Sequence, residues 1–162
     1  MLFRSKLTRR WQLGGSYRDH RDSALRLAQD EMDGGVPRQE ICDLLLERAP
    51  SGRSRKAYVD VAEQLRQVML ERNAQGTGLE RSGQLQRAIE VYEANVADRF
   101  VGDHPYERLM EIYARRGDWL NAARVGEAYL QALHRLPADE SRRAAVQGSV
   151  TAWRRRLRGE AG

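Results

Sequence analysis

The chain has 162 residues, 41% of them apolar and 31% charged, a balance that suits one folded domain with its own core and excludes a wholly disordered polypeptide. No apolar run approaches the roughly 18 residues of a transmembrane helix, and the opening MLFRSKLTRRWQLGG is basic without an apolar h-region, so neither a membrane span nor a secretory signal is read and the expected location is cytoplasmic. The net charge of +5 is uneven: residues 1–26 carry seven Arg or Lys against two acids, residues 135–162 carry seven Arg against three, and the body between them sums to −4.

In chain order, residues 1–17 hold no period and are interrupted by Gly14, Gly15 and Ser16, which predicts a flexible basic arm with a helical turn around Leu7 to Trp11. From Arg18 to Asp33 the apolar residues Ala24, Leu25, Ala28 and Met32 mark one helix face, stopped by Gly34 and Gly35, and Pro37 stands where a first-turn proline of the next helix belongs. That second helix runs to about Arg48 on the stripe Ile41, Leu44 and Leu45. Within it the lone Cys42 reads as a small buried hydrophobe. The segment APSGRS is a loop ending in a cap at Ser54. A third helix starts near Arg55 and shows Tyr58, Val61, Ala62, Leu65, Val68 and Met69 on one side. Gly76 and Gly78 predict a kink or short break further along it, because each glycine costs about 1 kcal/mol inside a helix.

Further helices are expected at about 84–98, 104–116, 118–135 and 139–158. Leu85, Ala88, Ile89, Tyr92 and Val96 form one stripe, and Tyr106, Leu109, Met110 and Tyr113 another. In the last helix Val146, Val150, Trp153 and Leu157 line one face while arginines crowd the remainder, as the wet-faced end cap of a stack requires. The fold expected is all-α, about seven helices forming one domain over residues 18–162, with a basic capping helix at 139–158.

The stretch from Gly76 to Leu133 holds one pattern twice. Gly83 and Gly117, and likewise Ala88 and Ala122, are separated by 34 residues, a period characteristic of helical repeat arrays. Gly76, Leu79, Gly83, Ala88 and Tyr92 in the first copy, and Tyr106, Leu109, Tyr113, Gly117 and Ala122 in the second, resemble two consecutive tetratricopeptide repeats over about 69–136. Departures from that pattern are Met110 in place of a small residue, Arg72, Gln75 and Asn95 at sites usually apolar or small, and Phe100 and His134 where closing prolines belong. Independently of any family, glycine at positions 83 and 117 suits the left-handed turn of a helical hairpin, and alanine at 88 and 122 lets paired helices approach closely.

Chemistry is sparse. His20, His104 and His134 show no metal-ligand spacing with one another, with Cys42 or with a carboxylate, and no phosphate loop or nucleophile elbow occurs. No catalytic role, metal or cofactor is therefore expected. Carboxylate neighbours such as Glu90 with Glu93 read as charged helix surface.

The repeat resemblance implies an α-solenoid, a hairpin array whose first helices line a concave groove. It places Leu70, Asn73, Thr77, Glu80, Arg81, His104, Glu107, Glu111, Ala114 and Arg115 there. Glu107 and Glu111 would stand where clamp-type members of that family carry residues that grip a peptide carboxylate, so the resemblance implies a basic ligand in its place. The leading expectation is a non-catalytic adaptor or subunit of a larger complex that binds another protein. The rival is a nucleic-acid-binding accessory protein in which Arg9, Arg10 and Trp11, together with Arg154, Arg155, Arg156 and Arg158, hold a polyanion weakly. Trp153 is assigned to the core; Trp11 is not.

Overall fold

The computed structural model describes residues 15–137 and 139–160. Over these the chain forms seven α-helices: α1 Tyr17–Asp33, α2 Arg38–Arg48, α3 Arg55–Arg81, α4 Leu85–Ala97, α5 His104–Arg115, α6 Trp119–Leu133 and α7 Glu140–Leu157. There is no strand among the described residues. Each helix packs on its successor, and α1 also lies against α3. The predicted helices are present within a few residues of their expected ends, because each combined an apolar stripe with a turn-forming stop.

Several local expectations need correction. The chain does not break at Gly76 and Gly78: α3 runs through both as one helix of 27 residues. The supposed arm gives up its last residues to α1, where Ser16 and Asp19 make a reciprocal capping box; residues 1–14 and the turn expected at Leu7 to Trp11 lie outside the described residues. Ser54 precedes α3 but makes no side-chain cap, since a 3-10 turn over Gly52–Ser54 already leads the backbone into the helix. Pro37 sits one place before the first helical residue of α2. Val68 and Leu157, both expected on buried stripes, are 38% and 48% exposed. Val68 lies on the solvent side of α3, and Leu157 falls in the last turn of α7, beyond the packed residues Val146, Val150 and Trp153.

Two apolar cores form. One joins α1, α2 and the first half of α3 through Ala24, Ala28, Ile41, Leu45, Val61 and Ala62. The larger joins α4 to α7 around Tyr92, Tyr106, Leu109, Ala122, Tyr129 and Trp153. Cys42 is fully buried in the first, its thiol against the Ala62 carbonyl at 3.3 Å, and burial pushes its pKa up to about 11.

Two of the departures in the first repeat copy, Arg72 and Asn95, belong to a polar seam between these cores, whereas Gln75 is exposed. Asn95, fully buried, donates to the Met69 carbonyl at 2.7 Å and to Asn73 Oδ1 at 2.8 Å. Asp98 accepts from Arg38 Nη1 at 2.7 Å and from Arg72. Asp98 also serves the start of α2, its carboxylate accepting the Arg38 N–H at 3.2 Å and its carbonyl the Gln39 N–H at 3.1 Å. The orphan donors at that helix start, which Pro37 cannot satisfy, are thus met by the end of α4.

The hairpin residues behave as the spacing requires. Gly83 and Gly117 adopt φ of +75° and +70°, and Ala88 and Ala122 are fully buried.

Candidate functional site

The groove residues come from two helices whose facing sides are tied together. On α3, Thr77 turns its hydroxyl to the Asn73 carbonyl at 3.0 Å and lies 3.0 Å from His104 Nε2 at the start of α5. The Tyr92 ring meets His104 edge-on, with centroids 5.5 Å apart. Its hydroxyl, 3.4 Å from both Thr77 Oγ1 and His104 Nε2, donates to Glu80 Oε1 at 2.7 Å.

Glu80 then receives both arms of the Arg108 fork, Nε at 3.0 Å and Nη2. Arg108 continues to Glu111 through Nη1, and Glu111 also pairs with Arg115. The fork of Arg108, assisted by the Tyr92 hydroxyl, holds the Glu80 carboxyl below the usual carboxylate range against an opposing effect of burial. Burial in turn raises the Tyr92 phenol.

This arrangement brings Thr77, Glu80, His104, Glu111 and Arg115 into one chain of contacts but assigns them an internal task, bridging α3 to α5. Asn73 points inward to Asn95 and belongs to the polar seam. Ala114, expected as a free groove wall, is half-buried against the larger core. Glu107 was expected to meet a basic ligand. It is exposed and receives only a 3.3 Å contact from the Tyr129 hydroxyl, which bonds more closely to Asp103 at 2.8 Å. Arg81 is exposed at the end of α3, and Leu70 on the same side of that helix is 43% exposed.

Two organising groups were not singled out as site residues. Tyr92 was read only as apolar stripe, although a phenol in such a stripe needs a polar partner for its hydroxyl. Arg108 was assigned no role. Its reach to Glu80, 28 positions earlier, depends on how α5 is set along α3.

At the basic end of α7, Arg154 pairs with Glu127, Arg156 lies 4.5 Å from the centroid of the Trp119 ring, and Arg158 Nε donates to Glu160 at 2.8 Å. Arg155 is exposed. Arg9, Arg10 and Trp11 lie outside the described residues. Trp153 is buried, as expected of a core residue. Among the described residues no three His, Cys, Asp or Glu side chains converge as a metal site requires, and no helix is long and apolar enough to cross a membrane.

Comparison with protein families, with curated proteins and with solved structures finds no match for this chain. Its function must therefore be read from the surface itself.

Proposed function

We propose that the chain is a non-catalytic interaction module, an adaptor or assembly subunit of tetratricopeptide-like, solenoid architecture, which binds a segment of another protein across the face shared by α3 and α5. The observation that carries this reading is the repetition of a whole hairpin. Gly83 and Gly117 turn the chain with the same positive φ 34 residues apart, each followed by a helix with a fully buried alanine at the equivalent place. Stacked hairpins present their successive first helices side by side, and such arrays serve as extended binding surfaces.

On this reading the Glu80–Arg108–Glu111–Arg115 ladder holds the surface in shape, and the contacts offered outward are Leu70, Arg81 and Glu107. The ligand is a protein segment with an apolar residue to meet Leu70 and a basic one to meet Glu107. The nucleic-acid reading is less favoured, because the body between the two basic ends carries a net charge of −4.

Reversing Arg81→Glu together with Glu107→Lys tests the reading, since neither change touches the ladder. Affinity purification of the full chain should lose a polypeptide that the unaltered chain retains, with circular dichroism and melting temperature unchanged. Retention of the same polypeptide by the reversed variant would overturn the assignment of this face. Recovery of nucleic acid alone, released by Arg154→Gln with Arg155→Gln, would favour the rival.

A further inference from the structure

A cleft of about 220 Å³ opens where the end of α4 and the start of α5 meet the last turns of α6. Val96, Tyr106 and Ala132 are buried and Ala128 half-buried along it, so its body is apolar. Two guanidinium groups, Arg99 and Arg135, stand among its lining residues. Arg99 pairs with Glu40 through Nη1, and Arg135 with Asp43 through Nη2. A guanidinium carries five N–H donors in a fixed fork, so each arginine keeps most of its donors after making that one contact.

Arg99 is also the one non-glycine residue with a positive φ among the described residues, at 55°. The pair of backbone bonds that closes α4, Arg99 N–H to the Val96 carbonyl and Phe100 N–H to the Asn95 carbonyl, also closes α1, α3, α5 and α7. There the left-handed position is held by Gly35, Gly83, Gly117 and Gly159. A side chain in this conformation costs about 1 kcal/mol, and an exposed ion pair such as Arg99 with Glu40 returns little of it. Position 99 differs from the glycine-capped ends in carrying a side chain that lines the cleft and pairs with Glu40.

We propose that this cleft binds a small monocarboxylic acid with a compact apolar body. The planar fork of an arginine matches a carboxylate in geometry and charge, and Arg99, Arg135 and the amide-bearing Gln131 are all among the lining residues. Val96, Ala128 and Ala132 supply apolar surface for the remainder of the molecule. The volume is below that of sites for drug-sized ligands, which restricts the body to roughly the size of one large side chain. The site shares no side chain with the α3–α5 face and does not depend on the interaction reading.

The test is titration of the full chain, with Val and Ala methyls labelled, against hexanoate and phenylacetate and against the uncharged hexanamide and phenylacetamide. The acids should give saturable shifts at Val96, Ala128 and Ala132, and the amides should bind at least about tenfold more weakly. Arg99→Asn, which tolerates the left-handed backbone, combined with Arg135→Gln should weaken the acids about tenfold or more while the protein still melts cooperatively. Ala128→Leu, which fills the cleft without touching either arginine, should abolish the shifts at Val96 and Ala132. Absence of saturable shifts at about 50 mM acid, equal affinity for acids and amides, or an unaltered affinity in the double arginine variant would each overturn the proposal.

Discussion

Gly76 of α3 lies flat against the ring of Tyr92 in α4: a Cβ built at position 76 would stand 2.6 Å from Cζ and 2.9 Å from Cδ1 of that ring. The missing side chain makes room for that ring, and the helix runs through the glycine unbroken. Gly78, two residues on in the same helix, has open space where its Cβ would be. The two positions therefore respond oppositely to one methyl group. Gly76→Ala should destabilise the protein by about 1–3 kcal/mol through overpacking, whereas Gly78→Ala should stabilise it by about 0.5–1 kcal/mol by removing a flexible residue from a helix. Chemical denaturation of both variants against the unaltered chain measures the pair, and equal effects would show the α3–α4 contact to be wrongly described.

That pair also shows what could and could not be read in advance. The seven helices were legible because each carried a stripe with a 3.6-residue period and ended at glycine or at a turn-forming loop, both local properties. Gly76 was misread because a propensity scale assigns the same cost to any helical glycine, and only the ring of Tyr92 separates Gly76 from Gly78. Arg72 and Asn95 looked like departures from positions usually apolar or small. They became intelligible once α2, α3 and the end of α4 were seen to meet there, so that each polar group found a partner. For the residues expected in a groove, the spacing named positions and not contacts. The pair of Arg108 with Glu111 has the i,i+3 spacing of one helix, but the reach of Arg108 to Glu80 depends on an axial offset between α3 and α5 that no spacing within one helix contains.

Asp98 ties α2, α3 and the end of α4 together, since it takes two arginines and the first N–H of α2. Its removal leaves Arg38 and Arg72 partly buried and without their shared anion. Asp98→Ala should cost about 2–4 kcal/mol, more than an exposed pair would. Glu63→Ala, which breaks the surface pair with Arg66, should change stability by less than about 0.5 kcal/mol. Urea titrations of the two variants supply the comparison, and similar midpoints would remove the polar seam from the account of how the two cores are joined.

The Glu80–Arg108 bridge should be visible as a pH effect. Glu80 has its folded pKa lowered, chiefly by the Arg108 fork, so its contribution is present above the unfolded glutamate value of about 4.3 and is lost as pH falls through the lower folded value. Glu80→Gln removes the contribution at every pH. The stability gap between the unaltered chain and Glu80→Gln should therefore be widest near neutrality, about 1–2 kcal/mol, and should close on acidification below about pH 4. Denaturation midpoints of both chains across that range test this, and a gap that widened toward low pH would contradict the assigned direction.

Position 99 offers a test in which stability and binding part company. Arg99 holds a left-handed backbone at φ 55°, and its exposed pairing with Glu40 is of the kind that contributes little. Arg99→Gly should relieve the backbone and raise stability by about 1 kcal/mol, while Gly117→Arg at the equivalent end of α5, where φ is +70°, should lower it by a similar amount. If the arginine is there for the cleft, the stabilised Arg99→Gly chain should also bind hexanoate more weakly than the unaltered chain. A melt shows the first effect and a methyl-shift titration the second. Loss of stability on Arg99→Gly would mean that the contact with Glu40 outweighs the backbone cost, and would return Arg99 to an ordinary structural role.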